Sequence, residues 1–196
     1  MAEILMKNVR GAFLDLFVAG TPPPGSTSGP KFGGNFIFAP GTDAYNVATT
    51  EFRRVATEKF GVNADAILAE LGKDKKCIRR GDSNLDKAGV VRNGFAGQFF
   101  IVAKNKIRPV VVDRDKTPLV EADGKPYSGC YMNVTVDIFA TNKPGQGPRV
   151  DAMLLAVQFV SHGESFGGSK GSADSFDCLP DEGESAPAAA ATADLF

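Results

Sequence analysis

The sequence predicts a mainly β fold, a Greek-key barrel with two helices inserted after its second strand and a flexible acidic C-terminal tail. Three observations carry that reading. Short stretches with period-two or doubly covered apolar patterns recur along the chain. A single block between the second and third of them has helical periodicity instead. No strand-helix-strand alternation repeats, so a parallel α/β sheet is not expected.

The first strand is read over Val9 to Ala19, VRGAFLDLFVA, where Phe13 and Phe17 lie at one parity and Leu14, Leu16 and Val18 at the other, a pattern for a strand covered on both faces. The following TPPPGSTSGP, residues 21–30, has four prolines and cannot continue a ladder, so it reads as a loop. Asn35 to Ala39 is a short second strand ended by Pro40-Gly41. From Tyr45 to Phe60, Val47, Phe52, Val55, Ala56 and Phe60 fall near helical spacing, with Thr42 or Asp43 as cap and Gly61 as stop. A second helix is expected from Ala64 to Leu71, stopped by Gly72.

Residues 73–84, KDKKCIRRGDSN, read as a basic loop or edge segment. Four further strands follow: Gly97–Ala103, Pro109–Asp113, Cys130–Ala140 and Ala152–Ser161. In the third of these, Met132, Val134, Val136 and Ile138 alternate with Tyr131, Asn133, Thr135 and Asp137, so one face is buried and the other wet. About six strands with helices after the second suit a small barrel of the OB type. From Gly167 on, the chain is mostly Gly, Ser, Asp, Glu, Ala and Pro, too apolar-poor to offset the entropy of ordering. The expected division is a barrel domain over 1–168 and a tail over 169–196.

The formal net charge of −1 hides an asymmetry. Residues 1–163 carry 21 Lys and Arg against 16 Asp and Glu, whereas residues 164–196 carry one Lys against seven acids. A basic body with an acidic tail points toward a nucleic-acid partner, although such blocks are often only solvated. No run approaches the roughly 18 apolar residues of a membrane span, and the N-terminus lacks the apolar core of a signal peptide, so a cytosolic protein without membrane contact is expected. Cys77, Cys130 and Cys178 have neither disulfide nor zinc spacing and read as reduced thiols.

Enzymatic constellations are weak. His162 is the only histidine and reads as a turn residue. Asp113, Asp115 and Asp123 could be drawn together as a metal-dependent nuclease site, but each sits in a turn-like segment, VDRDKTP or EADG, and solvated hairpin acids explain them better. FGGSKGS, residues 166–172, lacks the spacing of a phosphate loop and follows the last strand. No catalytic residue, metal or cofactor is implied.

Cations interleaved with aromatics are what remain. Binding a single strand without sequence preference needs cations that follow phosphates and rings on which bases stack. The candidates are Lys31 and Phe32 at the second strand, Lys75, Lys76, Arg79 and Arg80 after the helices, and Arg92 before the third strand. Lys104, Lys106 and Arg108 follow that strand, and Tyr127 and Tyr131 flank Gly129. The plain alternative is that most of these are ordinary core and surface residues.

Four stretches, PKFGGNFIFAP (30–40), GFAGQFFIVAKNKIRPVVVDRD (94–115), YSGCYMNVTVDIFATN (127–142) and MLLAVQFVSHGESFGG (153–168), together resemble a family of phage OB-fold single-stranded-DNA-binding proteins. The resemblance implies that fold and DNA binding in the cytoplasm of an infected host, in replication or recombination. It supplies no set of contact residues. The end of the chain, Asp194-Leu195-Phe196, is similar to the acidic tails of replicative single-stranded-DNA-binding proteins and would suit a basic-rimmed apolar pocket on a phage or host replication protein. About 20 residues of tail reach on the order of 25 Å, enough to fold back on the protein's own basic surface. Duplex binding, homo-oligomerisation and a phage structural or assembly role are the alternatives that the sequence leaves open.

Overall fold

The computed structural model describes residues 3–22 and 29–166. The centre of the proline-rich loop, Cys178 and the expected tail lie outside the described residues. Among the described residues the fold is mainly β, with seven strands in one sheet of order β3-β4-β2-β1-β6-β7-β5. In chain order the elements are β1 (Glu3–Gly20), β2 (Lys31–Phe38), helices α1 (Asp43–Phe60) and α2 (Ala64–Glu70), β3 (Ile78–Arg80), β4 (Phe99–Asn105), β5 (Val110–Val112), β6 (Tyr131–Lys143) and β7 (Gly147–Ser161).

β1 bends sharply enough to serve both halves of the sheet. Its first half pairs with β6 and its second half with β2, and the ladders shift register between Met6 and Val9 and between Ala12 and Asp15. Each shift contains a non-glycine residue of positive φ, Asn8 at 54° and Phe13 at 52°. Such bulges bend and twist a strand, which is how one continuous segment curls into a barrel wall.

The barrel closes at Cys77, beside a parallel bridge between Lys76 and Val150. The Cys77 amide donates to the Val150 carbonyl of β7 at 2.8 Å, and the Cys77 carbonyl accepts from Val102 of β4 at 2.9 Å. The ring of strands therefore runs β1-β2-β4, across Cys77 and β3, to β7-β6 and back to β1. Its interior is filled by Met6, Phe36, Ile101, Val134 and Leu154, all fully buried. α1 starts where Thr42 Oγ1 accepts the Tyr45 amide at 3.3 Å and ends at Gly61, whose φ of 61° a side chain rarely adopts. Its face of Ala44, Ala48, Val55 and Ala56 joins the barrel core.

The expected helices and strands are present; β1, β6 and β7 run longer than expected, while α2 is one residue shorter and β5 is cut to three residues. Three differences matter. Residues 78–80, read as a loop or edge, form β3, too short to show a period in sequence. All named strand pairs are antiparallel except β5 and β7, which run parallel. β1 is not covered on both faces: Phe13 is 50% exposed and Val18 64%, because the bulge before Asp15 rotates Phe13 outward and the strand outruns the barrel.

Among the described residues no helix is long and apolar enough to cross a membrane. Cys77 and Cys130 are buried free thiols, and burial pushes the Cys77 thiol up to about 12, so it stays protonated.

Candidate nucleic-acid interface

Alternation along β2 sets the site. Phe36 and Phe38 point into the barrel, so Lys31, Gly33, Asn35 and Ile37 face outward. At one end of this outer face, Ile37 is sealed with Ala12, Phe100 and Phe95, the last brought over by the long connection between β3 and β4. At the other end none of the described residues seals the face in this way, and Lys31 and Gly33 meet Lys104 of β4, the register partner of Gly33.

Three concavities run into one another across this open region. The largest, about 700 Å³, lies between β2-β4 and the β6-β7 turn, lined by Lys31, Lys76, Arg79, Lys104, Lys143 and Arg149, with Val102 and Phe139 among its apolar residues. A second, about 350 Å³, shares Lys31 and Lys104 and continues over Gly33, Gly34 and Asn35 to Phe13. A third, about 380 Å³, shares Phe13 and holds Arg92, Asn93, Asp86 and Phe95. Together they form one groove crossing β4, β2 and β1.

Six cations line the first concavity against two acids, Asp74 and Asp151. The acids are already engaged. Arg149 makes two 3.1 Å bonds to Asp151, and Arg79 lies 3.7 Å from Asp74. Donating to the Asp151 carboxylate holds Arg149 more firmly in its charged form. Lys31, Lys76, Lys104 and Lys143 have no carboxylate within ion-pair distance among the described residues. Unpaired ammonium groups along a concave track suit a ligand carrying regularly spaced negative charge.

Two glycines keep the floor low. A Cβ on Gly33 would stand 2.5 Å from the Ala103 carbonyl oxygen, and one on Gly34 would stand 2.8 Å from Leu14 Cδ2. Only glycine lets β1, β2 and β4 approach this closely beneath the groove.

The structure brings together Lys31, Lys76, Arg79 and Lys104 of the sequence-derived candidates, with Arg92 at the far end. Lys75 reaches the β6-β7 turn, its Nζ 3.6 Å from where a Cβ on Gly147 would sit. Arg80 alternates with Arg79 and lies over the Phe99 ring at 5.8 Å, away from the groove. Phe32 shares the inward parity of Phe36, half-buried. Lys106 and Arg108 follow β4, with Arg108 stacked over Phe17 at 5.4 Å.

The two tyrosines stand elsewhere. The Tyr127 hydroxyl donates to the Gly163 carbonyl at 3.0 Å and lies 3.1 Å from His162 Nδ1, tying down the end of β7. Tyr131 packs under Arg10 at 5.5 Å. His162 is itself packed edge-on against Phe159 at 5.1 Å.

Three site residues escaped the sequence reading. Lys143 and Arg149 lie on the β6 and β7 extensions around Gly145 and Gly147, and their signal was a glycine-rich hairpin turn with a cation on each side. Phe13 gave no signal, because a bulge is invisible in a doubly apolar strand.

The acids considered for a nuclease serve turns instead. Asp113 accepts from Lys125 and from the Arg114 amide, Asp115 from the Thr117 amide, and Asp123 from the Val120 amide. Among the described residues no group of three His, Cys, Asp or Glu could hold a metal ion.

Comparison with known proteins gives a consistent picture. A family model described as Enterobacter phage Enc34, ssDNA-binding protein, matches residues 2–186. Protein p50 of Acyrthosiphon pisum secondary endosymbiont phage 1 is 36% identical over 185 residues, 90% of this chain and 94% of its own length. The fold is similar to that of the single-stranded DNA-binding protein from bacteriophage Enc34 in complex with ssDNA, with a TM-score of 0.67 and 20% identity over 84% of this chain and 89% of that one. It is also similar to gp2.5, a single-stranded DNA binding protein encoded by bacteriophage T7, at TM-score 0.55 and 10% identity, covering 88% and 98% of the two chains.

Proposed function

Because this chain belongs to the family of the Enterobacter phage Enc34 ssDNA-binding protein, we propose that it binds single-stranded DNA along the groove from the β6-β7 turn, past Lys31 and Lys104, to Phe13. The observation that carries the reading is the row of four lysines without carboxylate partners over a glycine floor. Phosphates would lie against the lysines, and bases against Phe139, Val102 and the exposed end of the sheet. Such contacts read charge and π-faces rather than base edges, so little sequence preference follows.

In this reading residues 1–168 hold the strand, and residues 169–196 recruit replication proteins through Asp194, Leu195 and Phe196. The protein would coat and protect exposed strands during phage replication or recombination in the host cytoplasm.

The test is fluorescence anisotropy of labelled oligo-dT and of matching duplex, titrated at low and moderate salt. Tight binding with a single-strand preference is expected, with a log-log salt slope of about −0.7 per phosphate contacted, so about −3 for four lysines. A slope near zero, or no binding, would overturn the reading. Equal affinity for duplex would assign the groove to phosphate backbones in general. Removing residues 169–196 should strengthen binding at low salt if the tail competes for the groove.

A further inference from the structure

Phe13 combines three properties found together in no other described residue. It is the one exposed phenylalanine or tyrosine among the described residues, at 50%, the other described ones being buried or half-buried. Its φ of 52° is unfavourable for a bulky side chain, and the conformation is held by the bulge and by the Phe13 amide donating to Ser128 Oγ at 3.2 Å. Its ring closes one side of a cavity of about 380 Å³, with the Arg92 guanidinium 5.2 Å from the ring centroid and Phe95 6.2 Å away at a 35° tilt.

A strained backbone that turns an apolar ring outward is disfavoured twice over, by conformation and by exposure, and such residues concentrate at ligand sites. We propose that Phe13 is the platform of a single-base stacking subsite at the end of the groove, covered by Arg92 in the free protein. The inference rests on the single-strand reading above and adds a particular residue to it.

The geometry says how the subsite would work. The ring offers a face to any base and no hydrogen-bonding group, so stacking there is tolerant of base identity. Arg92 is a long side chain with no carboxylate within ion-pair distance among the described residues, although Asp86 lines the same cavity and feels its charge. It can leave the ring as a base enters and then stack on the outer face of that base or meet the adjacent phosphate. The cavity is large enough for a small ligand, a class that begins near 300 Å³. Phe95, fully buried beneath, fixes the ring from behind.

The chain contains no tryptophan, so Phe13→Trp places a unique fluorophore at the subsite. Full-length protein carrying this change is titrated with unlabelled oligo-dT, beside a control with Val47→Trp on the outer side of α1. Strong quenching of the Phe13→Trp signal at saturation, with none for the control, is expected. A second experiment pairs Phe13→Ala with an oligonucleotide of abasic sugar-phosphate units. Loss of the ring should weaken oligo-dT binding about 5- to 150-fold. It should leave abasic binding unchanged, and Phe13→Tyr should restore oligo-dT binding.

Binding of normal affinity with no quenching, or equal weakening toward both oligonucleotides, would overturn the subsite while leaving the groove intact. Failure of the unmodified protein to bind any single strand would overturn the groove itself, so the two readings fail separately.

Discussion

Arg54 on α1 and Lys104 on β4 are both cations on the surface of this domain, and they are put to opposite uses. Arg54 is clamped by Glu51 on one side, at 2.7 and 2.8 Å, and by Glu58 on the other, at 2.8 Å. Those bonds hold its guanidinium well above its ordinary value, so its charge is spent within the helix. Lys104 faces Lys31 across the glycine floor with no acid within ion-pair distance among the described residues. A helix supplies partners three and four residues away by its own periodicity. An open sheet face does not, and the charges left unpaired there are available to a ligand.

Reversing the unpaired charges is the most direct way to break this contrast. Lys31→Glu with Lys104→Glu removes two phosphate contacts and adds repulsion, and should weaken oligonucleotide binding roughly a hundredfold or more. The salt slope should flatten in the same titration. Unchanged affinity would move the strand off this face. A smaller loss is expected from Gly33→Val, which raises the floor and crowds the Ala103 carbonyl. It should cost about 1–3 kcal/mol of stability, and binding measured below the melting transition should fall as well. Arg54→Ala sharpens the comparison from the other side: affinity should stay within about twofold, with a slight loss of thermal stability from the weakened helix surface.

The same contrast explains what the sequence could reveal. The α1 boundaries were legible because capping, periodicity and a stop glycine are local, and the alternation of β6 was legible because one face is wet. Lys31 and Lys104 were legible as cations beside strand ends. That Arg79 enters the groove while Arg80 turns to Phe99 was not, since the three-residue strand that decides it has no period of its own. Tyr127 and Tyr131 had the right chemistry, yet their hydroxyl bond and Arg10 contact bind them to the fold rather than to the groove. Phe13 became exposed through a bulge, and a bulge follows from how a strand pairs with its neighbour, here Asn35 and Gly33 of β2, not from the strand's own pattern.

The smallest effect concerns the acids that serve turns. Asp113 is held below the usual carboxylate range by the hydrogen bond from Lys125 and then by the Arg114 amide, Asp115 by the Thr117 amide, and Asp86 by the Val90 amide. A carboxylate lowered in the folded state binds protons more readily when unfolded, so its contribution is fully present above the unfolded value near 3.9 and is lost as pH falls through the folded value. Thermal melts should therefore show no dependence on these groups between pH 5 and 7 and a decline below about pH 4. Asp113→Asn should be slightly less stable at neutral pH and should show a shallower acid decline, because the group that titrates is gone. Its oligonucleotide affinity at neutral pH should match the unmodified chain, since Asp113 lines none of the three concavities of the groove. Identical acid slopes for the two proteins would mean that the Lys125 bond does not hold Asp113 in solution, and that the division into paired turn charges and unpaired groove charges fails at this position.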